Sequence, residues 1–282
     1  MKMNDLEREF KHDLNNLKAS GIWDPVGDFK AILNKHFSGI SQITNQNVLH
    51  FQADIQERVR RIPLGHILGY TEFNGYRFVV GTGVFVPRQQ STMLLDWLHK
   101  NVDIQPGALI YDLCSGSGAI GVSAWKQHPN TKVVCVENDD VAYQYLCRNI
   151  NRLASEEHVI AKMKDITNHT DFVDHHACVD VMISNPPYVP NSEDLLPEWQ
   201  QHHPVNAIYS GQGGNQMIEA SISLAESLLK PGGTILIEHG EFQKDIVKNI
   251  FKRYQFHSVE THTSHQFSDE TGLAVMTTGT KQ

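Results

Sequence analysis

The spacing of apolar residues changes character near residue 70. Before it, Leu6, Phe10, Leu14 and Leu17 recur every three to four positions, and Phe29, Ile32, Leu33 and Phe37 repeat the pattern, so each set gives a helix one apolar face. Pro25-Val26-Gly27 separates these two helices, and a third segment from Val48 to Val59 is closed by Pro63-Leu64-Gly65. Residues 1–70 therefore read as a small helical domain, either a recognition unit or a stabilising cap. From Thr71 to Val80 and on through Gly81 to Pro87, aromatic and β-branched residues flank glycines. That composition predicts a β-hairpin within a linker spanning residues 71–90.

After Ser91, Met93, Leu94, Leu95 and Trp97 mark a helix, and then short apolar runs alternate with helical stretches. The runs are 108–112, 132–137, 158–161, 179–184, 234–238 and a late one from Gly272 to Thr278. Short strands of this kind, apolar throughout, are buried on both faces. Alternated with helices, they predict a doubly wound, mostly parallel α/β sheet of Rossmann-like type over residues 91–282.

Two segments carry candidate chemistry. The first strand leads into Asp112-Leu113-Cys114-Ser115-Gly116-Ser117-Gly118 and then directly into a helix. Glycines at such a turn let backbone approach a ligand at the carboxyl edge of the sheet. The second strand ends about twenty residues on at Glu137, where a carboxylate can accept ribose hydroxyls, with Asn138 beside it. Gly121 formally completes G-x-G-x-x-G, but Asp112 ahead of the loop repels a pyrophosphate and attracts a cationic ammonium. The expected cofactor is therefore S-adenosylmethionine rather than a dinucleotide. Its candidate contacts are Asp112, Cys114, Ser115, Gly116, Ser117, Gly118, Glu137 and Asn138. Asp165 and Ile166 are candidates for the adenine, Asp165 reading equally well as the cap of a helical turn.

The second segment, Asn185-Pro186-Pro187-Tyr188, is the more specific. Consecutive prolines fix φ twice and remove two backbone donors, leaving carbonyls in set directions. The Asn185 side-chain oxygen and the Pro186 carbonyl can accept both hydrogens of a planar NH₂ group while Tyr188 stacks on its π system. Asn185 also faces the cofactor side. The candidate catalytic set is thus Asn185, Pro186, Pro187 and Tyr188, suited to methyl transfer onto an amide or amine nitrogen.

Composition narrows the acceptor. A net charge of −8 on 282 residues disfavours a long phosphate-backbone contact, so nucleic acid is not the expected substrate. No apolar run approaches the roughly 18 residues of a membrane helix, and the charged N-terminus lacks a secretory pattern, so a cytoplasmic protein is expected. Cys114, Cys135, Cys147 and Cys178 are scattered without a C-x-x-C pair, and the 16 histidines show no H-E-x-x-H. Free thiols and no metal site follow.

With these residues in view, the chain resembles the HemK/PrmC family of protein-(glutamine-N5) methyltransferases over nearly its whole length. The resemblance takes in Pro63 to Phe73, Val86-Pro87-Arg88, the glycine loop, Glu137, Asn185 to Tyr188, and Gly232-Gly233 ahead of Glu238-His239-Gly240. It implies a protein substrate, a release factor-like loop exposing a Gly-Gly-Gln glutamine, with the N-terminal helices helping to recognise it. Departures are local. The family's Pro-Arg-Pro-Glu-Thr-Glu stands here as Pro87-Arg88-Gln89-Gln90-Ser91-Thr92, and Cys114 replaces the first loop glycine. Ser210 to Asn215 replace a Gly-Gly-x-Asp-Gly-Leu, and an arginine expected after Gly272 is missing. The residues alone leave open a divergent paralogue acting on an adenine or small-molecule nitrogen, a non-catalytic cofactor-binding protein, and the oligomeric state.

Overall fold

The computed structural model describes residues 8–269 and 271–282. Its N-terminal quarter is helical: α1 (Lys11–Ala19), α2 (Pro25–Phe37), α3 (Asn45–Val59) and the short α4 (Leu64–Leu68). Local chemistry sets the starts. Asp24 accepts a hydrogen bond from the Gly27 amide ahead of Pro25 in the first turn, and Thr44 and Asn47 form a reciprocal capping box on α3. Phe10, Leu17, Phe29, Ile32, Leu33, Phe37, Phe51 and Ile55 fill a core of their own, with Phe10 and Phe51 rings 4.7 Å apart. Leu6 lies outside the described residues.

The hairpin is shorter than its expected span. β1 (Tyr70–Phe73) pairs antiparallel with β2 (Tyr76–Val79) across Asn74-Gly75, whose φ values of 49° and 80° suit a tight hairpin turn. Residues 81–87 form no strand. The glycines there serve close approach instead, since a Cβ on Gly81 or Gly83 would strike Tyr145 or Val141 of the long helix Asp140–Leu153.

Beyond α5 (Thr92–Asn101), the chain alternates β3 (Leu109–Leu113), α6 (Ala119–Gln127), β4 (Lys132–Glu137), α7 (Asp140–Leu153), β5 (Val159–Met163) and β6 (Val179–Ser184). The short α8 (Pro197–His202), α9 (Gln216–Leu228), β7 (Leu229–Glu238), α10 (Lys244–Arg253), β8 (His257–Asp269) and β9 (Gly272–Thr280) follow. The seven-stranded sheet has the order β5-β4-β3-β6-β7-β9-β8, parallel from β5 to β7 and antiparallel at β9 and β8. Successive residues of β3 and β4 alternate between two cores. Ile110, Val133 and Cys135 enter one, while Tyr111, Val134 and Val136 enter the other. Helices on both faces make both sides apolar, which is the doubly wound sheet expected. β4 and β6 occupy the predicted spans, whereas β8 was not predicted at all. Its sequence, HSVETHTSHQFSD, has few apolar residues because it is an edge strand paired only with β9.

The helical N-terminal region is tied to the rest by buried ion pairs. Arg58 bonds Asp28 at 2.6 Å within the helices and reaches Glu198 of α8 at 3.0 Å, while Arg61 meets the same carboxylate at 2.5 Å. Burial alone raises the Glu198 pKa, but Arg61 and Arg58 outweigh it and leave it below the usual carboxylate value. No helix among the described residues is long and apolar enough to cross a membrane.

Candidate functional site

A cleft of about 940 Å³ opens at the carboxyl ends of the parallel strands. It brings together Cys114, Ser115, Gly116 and Ser117 after β3, Glu137 and Asn138 after β4, and Asn185, Pro186, Pro187 and Tyr188 after β6. Residues up to 74 positions apart in sequence thus face one space because parallel strands deliver every β–α turn to the same edge. Asp112, Gly118, Asp165 and Ile166 do not line it.

The loop after β3 owes its shape to left-handed backbone at Cys114, Gly116 and Gly118, with φ of 56°, 54° and 81°. Cys114 adopts a conformation that favours glycine, a strain on the order of 1 kcal/mol. A Cβ on Gly118 would lie 2.5 Å from Leu146 Cδ1, so α7 packs directly on the loop. Ser115 Oγ donates to the Asp112 carbonyl at 2.7 Å, closing the turn.

Glu137 is 8% exposed and organises its surroundings. Its Oε2 accepts from the Gly116 amide at 2.7 Å, and Oε1 accepts from the amides of Asn138 and Asp139, both at 2.9 Å. A carboxylate offers about four acceptor sites, so one remains, on Oε2, for a ligand hydroxyl. Asp112 plays a different part from a direct ligand contact. It is fully buried, and Oδ2 accepts from the Gly121 amide at 2.9 Å, anchoring the first turn of α6. Burial pushes its pKa up to about 7, with the Glu137 charge adding to the rise, and Oδ1 has no hydrogen-bond partner. Asp165 Oδ1 accepts from the Thr167 amide and hydroxyl, both at 2.8 Å, the local turn that was its alternative reading. Burial raises the Cys114 thiol pKa most, and the charges of Glu137, Asp112 and, last, Asp165 add to the rise. Ile166 is a core residue, 3% exposed.

Across the cleft, Asn185 Nδ2 donates to Ser91 Oγ at 3.0 Å. Oδ1 has no protein partner among the described residues. The loop beyond is pinned by Gln243 Nε2, which donates to the Tyr188 carbonyl at 2.9 Å, and by backbone bonds joining Val189 to Ile208 and Ser210. Tyr188 and Glu238 are in long contact, 3.5 Å from hydroxyl to Oε1. Glu238, at the end of β7, is 4% exposed, and burial raises its pKa despite Ser91 and Arg88, which lower it.

Reading the sequence found the two loops but missed the polar layer beneath them. Arg88 Nε and Nη2 bond both oxygens of Asp269 at 3.0 and 2.6 Å, and its guanidinium lies 4.9 Å from the Trp199 ring centroid. Gln90 Nε2 donates to Asp269 Oδ1 at 3.0 Å and to the Gly272 carbonyl at 2.8 Å. Of the four altered residues after Arg88, Gln90 and Ser91 line the cleft, while Gln89 and Thr92 do not. Glu238 and Asp269 do not line the cleft themselves but supply carboxylates to the polar layer behind its wall. The quoted Pro87-Arg88 and Glu238-His239-Gly240 motifs were the available signal; Asp269, in a polar edge strand, gave none.

A family model described as methyltransferase small domain matches residues 75–199. The chain is similar to a release factor glutamine methyltransferase of Corynebacterium glutamicum, 33% identical over 246 residues that cover 84% of this chain and 86% of the relative. It is 36% identical to one from Bifidobacterium longum, with coverage of 82% and 86%. Among solved structures, the hMettl16 catalytic domain, in complex with a 3′UTR hairpin, matches with a TM-score of 0.59 at 10% identity, covering 85% of this chain and 83% of the other. At that identity the match bears on the fold alone.

Proposed function

The chain belongs to the release factor glutamine methyltransferase family, and from that premise we propose that it methylates the side-chain amide nitrogen of a glutamine exposed on a release factor loop, using S-adenosylmethionine. One observation carries the reading: the glycine loop with Glu137 and the Asn185–Tyr188 loop face each other across one cleft.

The residues fit that cofactor. Glu137 keeps one acceptor site for a ribose hydroxyl, and left-handed Gly116, with open space where its Cβ would be, lets ligand approach the backbone. The buried Asp112 acts through the loop it anchors, with its charge as a longer-range attraction for an ammonium. Bound S-adenosylmethionine supplies a methyl carbon made electrophilic by its sulfonium.

The chain's own contribution is placement. Asn185 Oδ1 and the Pro186 carbonyl accept the two N–H bonds of the amide, which pushes electron density toward the nitrogen and turns its lone pair to the methyl. Pro186 and Pro187 hold those acceptors rigid, and Tyr188 covers the amide plane. An amide nitrogen is too weak a base to need deprotonation before attack; its proton leaves to solvent once the C–N bond forms. Orientation of this kind contributes up to about 7–11 kcal/mol.

The same reading places the protein in the cytoplasm, with a release factor as partner and the N-terminal helices contributing to its recognition. Those helices grip Glu198, next to Trp199 of the cleft wall, so a protein bound to them lies beside the site. The test is incubation with labelled S-adenosylmethionine and a release factor carrying Gly-Gly-Gln. Label on that glutamine is expected, and none once it is changed to glutamate. Asn185→Ala should abolish transfer with cofactor binding largely intact. An unlabelled wild-type factor, with a control methyltransferase active, would refute the substrate; normal turnover by the alanine variant would refute the role of Asn185.

A further inference from the structure

The cleft adjoins a second space. Asn206, Tyr209, Gly211 and Gln216 line it and also line a cavity of about 850 Å³ beside it. A glutamine reaches the cleft as part of a chain, so the residues flanking it have to leave along an adjoining surface. The second cavity is such a surface, joined to the cleft through those four residues.

Its chemistry is uniform. Besides Tyr209, its polar side chains are the amides of Asn191, Asn206, Gln212, Asn215 and Gln216, and no charged residue among those described lines it. Asn206 Nδ2 donates to Asp139 Oδ2 at 3.2 Å, whereas the other four side-chain amides have no hydrogen-bond partner among the described residues. A phosphate would need a lysine or arginine here, and an apolar group would strip water from the amides without replacing its bonds. A side-chain amide carries two donors and an acceptor, the complement of a peptide backbone. Two glycines ahead of a glutamine have no side chains, so their backbone is all that a protein can bind.

The wall of this cavity is fixed to the loop that holds the acceptor. Just past Tyr188, the Asn191 amide donates to the Gly211 carbonyl and the Val189 carbonyl accepts from the Ser210 amide, both at 2.9 Å. Gly214 has a φ of 70°, and a Cβ there would strike the Tyr188 carbonyl, so the segment lies directly on the loop. This is the altered stretch Ser210 to Asn215, in which Gly213 and Asn215 stand where the family pattern has aspartate and leucine. Both line the cavity, which is neutral without that aspartate.

We propose that this amide-lined cavity is a second substrate subsite, which binds the backbone of the substrate loop next to the target glutamine. The inference rests on the glutamine reading given above. The subsite holds the loop equally in the ground state and the transition state, so it acts on affinity and leaves the transfer step alone.

The test is steady-state methylation of a Gly-Gly-Gln release factor by wild type, Asn191→Ala/Gln212→Ala, Asn215→Asp and Asn185→Ala. Asn191 and Gln212 are exposed and line the second cavity but not the cleft, so the double variant should melt as wild type does. Losing two hydrogen bonds to the loop should raise KM for the factor about 10-fold. The kcat and the cofactor affinity should change less than about two-fold. Asn215→Asp, which replaces two donors with a charge that only accepts, should raise KM in the same direction. A blocked glutamine without flanking residues cannot reach the second cavity, so wild type and the double variant should use it equally; if neither uses it, the release factor decides alone. A factor KM within about two-fold of wild type in the double variant, with Asn185→Ala inactive, would overturn the subsite and leave the glutamine reading standing. So would a loss confined to kcat, or an equal loss on the blocked glutamine. No methylation of the factor by wild type would instead overturn the glutamine reading itself.

Discussion

Restoring the family's first carboxylate after Arg88, by Gln90→Glu, should destabilise this protein in a pH-dependent way. Gln90 is 5% exposed, and its Nε2 donates to Asp269 Oδ1 at 3.0 Å and to the Gly272 carbonyl at 2.8 Å. The substitution deletes both donors and sets a second negative charge against Asp269. At 3 Å and an effective dielectric constant near 20, two like charges repel by about 5 kcal/mol. Arg88, 2.6 Å from Asp269, offsets part of that, while each orphaned acceptor adds about 1 kcal/mol. A net loss of about 2–4 kcal/mol at pH 8 is expected. The introduced carboxyl has its folded pKa raised above an unfolded value of about 4.3. Below that value both states hold the proton and the group can donate to one of the two acceptors again, so the deficit falls to about 1 kcal/mol. It then grows by about 1.4 kcal/mol per pH unit until the folded pKa is passed. Urea unfolding followed by tryptophan fluorescence at pH 4.5 and pH 8, with wild type alongside, reads both numbers. Equal stability of variant and wild type at both pH values would refute the reasoning. The same logic predicts that Leu273→Arg, one position past the Gly272 carbonyl that Gln90 now satisfies, restores stability in the Gln90→Glu background.

Glu198→Ala strips the common partner from Arg58 and Arg61 and should cost about 3 kcal/mol in chemical unfolding, as for other buried pairs broken on one side. Since the folded pKa of Glu198 is depressed, the contribution that this variant lacks is present above the unfolded value of about 4.3 and is lost as pH falls through the folded value; wild type and variant should converge in acid and remain apart at neutral pH. Gly121→Ala places a Cβ against Cys135 Sγ and 2.9 Å from Asp112 Oδ2, and a loss of about 2 kcal/mol with weakened cofactor affinity by calorimetry is expected; unchanged binding would mean that α6 shifts without cost. Thiol titration should find exposed Cys178 fast, and buried Cys135, whose pKa burial raises well above normal, unreactive until the protein unfolds.

What the chain determines by itself is local. The period of apolar residues specifies α2, α3, β4 and β6 because a helix or strand must bury whichever side its own spacing makes apolar. The paired prolines after Asn185 and the glycines after β3 restrict φ without reference to the rest of the molecule, which is why both loops of the cleft are readable in sequence order. Tertiary structure decides the partnerships. Ser91 meets Asn185 from 94 residues away, Arg88 meets Asp269 from 181, and no periodicity records either contact. Asp112 reads as a ligand for a cation but is enclosed under α6, since the strand alternation that places it also turns it into the core face. β8 has no apolar signature because its stability comes from the ladder to β9, and its last residue, Asp269, places a carboxylate against Arg88 and Gln90, behind the cleft wall, where the segment after Arg88 no longer carries one. Charge and hydrogen-bond direction at the site belong to the assembled sheet, where strands distant in sequence end at one edge.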